Sequence, residues 1–161
     1  MHAPGEKMSG SVSASVRHMS EADVSAVLRI LEESPEASMW SGESLLESSS
    51  KGLAWVAERE GRVAGILIGQ VAADEFEILN LAVGKEFRRR GAATQLVKAA
   101  LEQARTAGTA KTYLEVRASN AAAISFYARM GFRVFGKRPN YYRNPVEDAA
   151  ILVMGEDGAV S

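Results

Sequence analysis

From Asn80 to Thr94 the chain reads Asn-Leu-Ala-Val-Gly-Lys-Glu-Phe-Arg-Arg-Arg-Gly-Ala-Ala-Thr. Three consecutive cations, Arg88, Arg89 and Arg90, stand directly before Gly91, Ala92, Ala93 and Thr94. Leu81, Ala82 and Val83 close a strand-like run upstream, and the downstream pattern is helical, so this cluster falls at a helix start. The first amides of a helix have no internal acceptors, and the helix dipole adds partial positive charge there. That end suits a diphosphate held by backbone N–H groups. Gly91 and the two alanines allow close backbone approach, and the guanidiniums add charge-assisted contacts. The competing reading is a solvated basic turn ahead of an ordinary helix. The strand before, the helix after and the small residues between favour the anion site.

The elements that must position this loop follow from periodicity. Residues 12–17 alternate valine with small residues, as a first strand does. Ser20 caps a helix running to about Glu33, with Val24, Val27, Leu28 and Leu31 on one face and Pro35 as its stop. Ser41 caps a second helix to about Ser50, with Leu45 and Leu46 inward. Residues 53–60 and 62–71 form a hairpin around Glu60-Gly61, and 75–83 form the next strand. There Glu75, Glu77, Leu79 and Leu81 share one face by alternation. A long helix over 91–107 ends at Gly108, followed by a strand over 111–117. Asn120 caps a helix through Met130, and Gly131 stops it. The last strands cover 132–137 and 149–154. The order β-α-α-β-β-β-α-β-α-β-β predicts an α/β fold: a mostly antiparallel central sheet with flanking helices. One domain is expected over residues 12–154, with flexible tails at 1–11 and 155–161.

Composition removes several function classes. Of 161 residues, 47% are hydrophobic and 24% charged, which is the balance of a folded globule rather than a disordered chain. Nineteen Lys and Arg against 20 Asp and Glu give a net charge of -1, without the basic excess of a nucleic-acid binder. The chain has no cysteine, so disulfides, thiolate metal sites and a cysteine nucleophile are excluded. No metal-ligand cluster is visible, and His2 and His18 read as surface residues. No apolar run approaches the ~20 residues that span a bilayer. Residues 1–11 lack the apolar stretch of a secretory signal. These features together predict a cytoplasmic protein.

Arg88-x-x-Gly91-x-Ala93 after Leu81-Ala82-Val83 closely resembles the coenzyme A pyrophosphate loop of the GNAT superfamily of N-acetyltransferases, whose element order is also the one above. Further residues are similar to the RimI-type ribosomal-protein-alanine branch. They are Leu114-Glu115-Val116-Arg117-Ala118-Ser119-Asn120, Phe126-Tyr127, Gly131-Phe132, Arg138, Asn140-Tyr141-Tyr142 and Glu147-Asp148-Ala149. The resemblance runs from about residue 16 to 154 and is strongest from Leu79 to Ala149. Upstream only Trp40-Ser41 echoes it. Ala93 stands where the second loop glycine is usual, and Gly84-Lys85 replaces a proline-containing turn. Neither change removes a functional group.

The resemblance implies acetyl-CoA as co-substrate, no metal, and direct transfer in a ternary complex. It assigns the diphosphate to Arg88 through Thr94, and the pantetheine arm to the backbone of Leu81, Ala82 and Val83 as an added strand. It assigns Glu115 as general base through water. Glu77, on the neighbouring strand, stays open as the alternative base, and a rim carboxylate paired with Arg117 is the structural alternative for Glu115. Tyr127 matches the family tyrosine that reaches the sulfur, against the reading of a core aromatic beside Phe126. Its reference pKa of about 10 exceeds the ~8.5 of a thiol, so it donates a hydrogen bond while full proton transfer is uphill. Asn120 contacts the pantetheine arm or serves as a helix cap alone. Arg138, Tyr141 and Tyr142, in a loop before the last strand, frame the acceptor, with Glu77 lining the same side.

The branch implies a protein N-terminus as acceptor, with the alanine of a small-subunit ribosomal protein as the named example. An α-amine near pKa 8 is about a tenth deprotonated at neutral pH, whereas lysine near 10.4 needs roughly 3 kcal/mol more. A single water-relayed carboxylate suits the first. Lysine, small amines and a non-catalytic acyl-CoA sensor stay open as alternatives.

Overall fold

The computed structural model describes residues 14–34 and 39–155. The expected N-terminal tail, Pro35 and residues 156–161 lie outside the described residues. Among these residues the chain forms seven strands and four α-helices in the expected order. The strands are β1 (Ser15–His18), β2 (Ala54–Arg59), β3 (Arg62–Ala72), β4 (Glu75–Val83), β5 (Lys111–Arg117), β6 (Arg133–Tyr142) and β7 (Glu147–Gly155). The helices are α1 (Val24–Glu32), α2 (Gly42–Ser50), α3 (Ala92–Thr106) and α4 (Ala121–Met130). Hydrogen bonding orders the strands β1-β2-β3-β4-β5-β7-β6. The β4–β5 pair is parallel, and β1–β2, β2–β3, β5–β7 and β6–β7 are antiparallel.

Two compact units gather these elements: residues up to Gly69 with Asn80–Ala100, and Gln70–Leu79 with the residues from Leu101 onward. The first is built on β2 and β3, where Val56, Ile66, Leu67 and Ile68 are fully buried. Such unbroken apolar runs belong to strands covered on both faces. Leu45 of α2 and Leu96 and Val97 of α3 complete this core. Leu46, expected inward, is exposed; its neighbour Leu45 takes the buried stripe of a short helix, which has room for one of the two. His18 is exposed as expected, with its ring 5.7 Å from that of Trp55.

In the second unit, β4 and β5 alternate cleanly. Phe76, Ile78, Thr112 and Leu114 are buried on one face, which leaves Glu77, Tyr113 and Glu115 on the other. The register pairs Glu77 directly with Tyr113.

One expectation is corrected here. Tyr141 and Tyr142 do not lie in a loop: β6 continues through Arg138, Pro139 and Asn140 to Tyr142. Pro139 and Asn140 look like strand breakers, but β6 is the edge of the sheet, where a proline's missing N–H costs no ladder bond. An irregularity between Arg138 and Tyr142, with Asn140 at φ 55°, absorbs the disruption.

Near the chain's start, Asp23 closes a cap and an ion pair together. Its carboxylate accepts from Arg17 at 2.8 and 2.9 Å and from the Ser20 N–H at 2.8 Å. The hydrogen bonds from Arg17 outweigh burial and hold the Asp23 pKa down at about 2. A depressed carboxylate contributes stability that is present above its unfolded pKa and is lost as pH falls through the folded one. Asp23→Asn should therefore cost about 1–2 kcal/mol at neutral pH, and the gap to wild type should close as pH falls from about 4 toward 2. Urea unfolding at neutral and acid pH measures this. A gap that does not change with pH would contradict it.

Candidate active site

In the first unit, β4 ends at Val83 and a 3-10 turn over Lys85–Phe87 leads into the arginine cluster. The turn is pinned from below. Phe87 is buried, Glu33 accepts the Lys85 N–H at 3.0 Å, and Arg62 pairs with Glu86 while lying over the Phe87 ring. Arg88 folds back, its Nε donating to the Val83 carbonyl at 3.0 Å. Arg89 and Gly91 both take positive φ, 65° and 86°. Arg89 is a costly place for that conformation, and such strain gathers at binding loops. At Gly91 the need is backbone freedom and not room, because an added Cβ would meet nothing within 4 Å. Gly91 O accepts the first helical bond of α3, from Gln95 at 3.1 Å. The amides of Ala92, Ala93 and Thr94 precede that bond and have no helical acceptor. Arg88, Arg89 and Arg90 are all exposed and form no ion pair among the described residues. The loop therefore offers free amides, a helix dipole and guanidiniums to an anion.

Two contacts at this loop were not read from the sequence. Arg59, at the end of β2, is buried and donates to the Arg90 carbonyl at 2.9 Å. Gly65 of β3 lies so close to β4 that a Cβ there would sit 3.0 Å from the Ala82 carbonyl oxygen. An isolated glycine inside a strand pattern was the available signal for that close approach.

The second unit brings most of the predicted acceptor residues together. Glu115 of β5 is not paired with Arg117. Its Oε2 lies 2.5 Å from Arg138 Nε, and its side chain is only 8% exposed. Burial first, then the nearby Glu115 charge, raises the Tyr141 pKa. The Arg138 guanidinium lies 5.2 Å from the Tyr141 ring centre. Glu77 is held separately. Gln70 Nε2 donates to its Oε1 at 2.8 Å and the Tyr113 hydroxyl donates to the same oxygen at 3.2 Å. Its Oε2 accepts no hydrogen bond among the described residues. Burial, followed by the Glu77 charge, raises the Tyr113 pKa. Gln70 and Tyr113 were not singled out from sequence, since neither belongs to a recognisable motif.

Arg117 serves the adjoining hairpin instead. It donates to the Arg143 carbonyl at 2.8 Å and the Pro145 carbonyl at 3.0 Å, pairs with Glu147 at 3.2 Å, and covers the Tyr142 ring. Tyr142 in turn meets Tyr141 edge-on at 5.0 Å. The clamp thus orders the strand end that carries both tyrosines.

Asn120 caps α4, its Oδ1 accepting from the Ala123 N–H at 3.1 Å. Tyr127 lies on that helix, 5% exposed, with edge-on contacts to Phe126 and Phe132. Burial pushes its phenol pKa well above the ordinary value, so it stays protonated. Its hydroxyl hydrogen-bonds to nothing among the described residues. These residues form no cluster of metal-ligating side chains, and no helix is long and apolar enough to cross a membrane.

Residues 20–132 match the acetyltransferase (GNAT) family. The ribosomal protein bS18-alanine N-acetyltransferase of Salmonella typhimurium is 40% identical over 97 residues, which are 59% of this chain and 66% of that relative. The match thus spans just under two thirds of the relative's length. A Bacillus subtilis protein named as a putative enzyme of the same activity is 33% identical over 143 residues, covering 86% of this chain and 93% of that one. The crystal structure of the corresponding Escherichia coli enzyme superposes with a TM-score of 0.78 at 30% identity, covering 88% of this chain and 93% of the other.

Proposed function

The chain belongs to the GNAT acetyltransferase family, and from that premise we propose that it transfers acetyl from acetyl-CoA to the α-amine of a protein N-terminus. Alanine on a ribosomal protein is the acceptor that the relatives' names suggest. The observation that carries the reading is the start of α3, where free amides, Gly91 at positive φ and three exposed arginines suit the coenzyme's diphosphate.

The backbone of Leu81 to Val83 pairs with the pantetheine arm as an added strand would. The acceptor nitrogen attacks the thioester carbonyl carbon, the C–S bond breaks, and the amine's proton passes to a base. Glu115 is the first choice for that base, acting through water, with Arg138 fixing its carboxylate. Glu77 is the second reading, favoured by its uncommitted Oε2. Tyr127, kept protonated by burial, donates a hydrogen bond to the departing thiolate. The chain has no cysteine, so no cysteine acyl-enzyme forms. Arg138, Tyr141 and Tyr142 receive the first residues of the acceptor, ordered by the Arg117 clamp.

The test is acetyl-CoA consumption with short peptides, half with free N-termini including alanine and half N-blocked with an internal lysine. Turnover on the free N-termini alone is expected. Turnover on blocked lysine peptides would reassign the acceptor to lysine. Coenzyme binding with no turnover on either set would point to a small amine or an acyl-CoA sensor.

A further inference from the structure

Among the described residues, Arg59 is a buried cation without a counter-ion. The residue is 6% exposed, its Nε has no hydrogen-bond partner, and its guanidinium makes one contact, to the Arg90 carbonyl at 2.9 Å. No carboxylate pairs with it among the described residues. Its hairpin partner makes the contrast plain. Arg62 stands opposite Arg59 in the β2–β3 register, is exposed, and is neutralised by Glu86. An exposed arginine needs no partner, whereas an unpaired buried one surrenders hydration without recompense. This arrangement places the unneutralised charge inside the protein and the neutralised one outside, the reverse of what stability alone favours.

The place of Arg59 gives the reason. It ends β2 at a tight turn through Glu60 and Gly61, both at positive φ, and that turn abuts the arginine loop at two points, Arg59 to Arg90 and Arg62 to Glu86. Arg90 is the residue immediately before Gly91, whose conformation begins α3. A guanidinium held on the Arg90 carbonyl fixes that peptide plane and adds positive potential beneath the loop, where low dielectric screens it least.

We propose that Arg59 is a positioning residue of the diphosphate site, with the bound anion supplying the counter-charge that none of the described carboxylates provides. The inference rests on the reading of the loop as a coenzyme A site. It goes beyond that reading in assigning part of the coenzyme affinity to a buried residue outside the loop motif.

The experiment measures coenzyme A binding by calorimetry, and turnover with two acyl donors: acetyl-CoA, and the acetyl thioester of N-acetylcysteamine, which lacks the diphosphate. Arg59→Met removes the charge and Arg59→Lys keeps it. Arg59→Met should weaken coenzyme A by about tenfold or more and raise KM for acetyl-CoA in step, leaving kcat/KM for the truncated thioester unchanged. Arg59→Lys should recover most of the loss. If Arg59→Met folds poorly, Arg59→Gln serves as the neutral variant, since its amide can still donate toward the Arg90 carbonyl, and the same losses are expected of it. Unaltered coenzyme affinity in Arg59→Met, an equal loss on both donors, or an Arg59→Lys as weak as Arg59→Met would each overturn the inference. Wild-type protein that fails to bind coenzyme A would instead refute the reading of the loop itself.

Discussion

Glu115→Gln is expected to lower kcat by about 10²–10⁴-fold, the range for loss of a general base, with coenzyme A affinity unchanged. Glutamine keeps the length but surrenders the charge that meets Arg138. Arg138 is 55% exposed, so water takes over its solvation and the fold should lose little stability. That makes the variant a clean probe of chemistry. Glu77→Gln is the paired control. Its Oε1 accepts from both Gln70 and Tyr113, and its Oε2 is uncommitted. If Glu115→Gln retains near-normal kcat and Glu77→Gln loses it, the base is Glu77, and Glu115 is the anchor that holds Arg138 in place. Steady-state kinetics with saturating acetyl-CoA separates the two outcomes.

Tyr127→Phe should slow kcat by about 10- to 100-fold, equivalent to the roughly 1.5–3 kcal/mol of a hydrogen bond to a charged group. The ring stays in its contacts with Phe126 and Phe132, and the hydroxyl has no partner to abandon. Thermal stability should therefore hold, because the ring packing is kept and no hydrogen bond is lost. Burial keeps the phenol protonated across the working pH range, so removing it should not introduce or erase a pH-dependent limb in kcat. A variant with unchanged kcat would remove Tyr127 from the reaction and return it to the packing role that its two aromatic contacts also satisfy.

Much of the architecture was legible because its signals are local. The strands at 75–83 and 111–117 were read to the residue, since alternation of Phe76, Ile78, Thr112 and Leu114 with polar neighbours is a period-two pattern with few competitors. Helix starts at Ser41 and Asn120 were readable because a cap is chemistry between residues three apart, and both side chains accept the N–H expected of them. The arginine–glycine loop was readable for the same reason: strand end, cations, small residues and helix start lie within one short stretch. Where local signals mislead, an edge strand shows why. Pro139 and Asn140 argue for a loop, yet β6 runs through them because nothing pairs with its outer side.

By itself, then, the sequence determined the element order, the arginine–glycine loop at the start of α3 and the chemical types available to the reaction, all of which depend on neighbours within a few positions. Only the tertiary structure decided which charges meet. Glu115 takes Arg138, Glu77 shares one oxygen between Gln70 and Tyr113, and Arg59 reaches the Arg90 loop from the end of β2 with no carboxylate beside it among the described residues. The reason is physical. A buried ion's partner is set by strand register and by which groups lose their water together, and neither quantity is local to the chain.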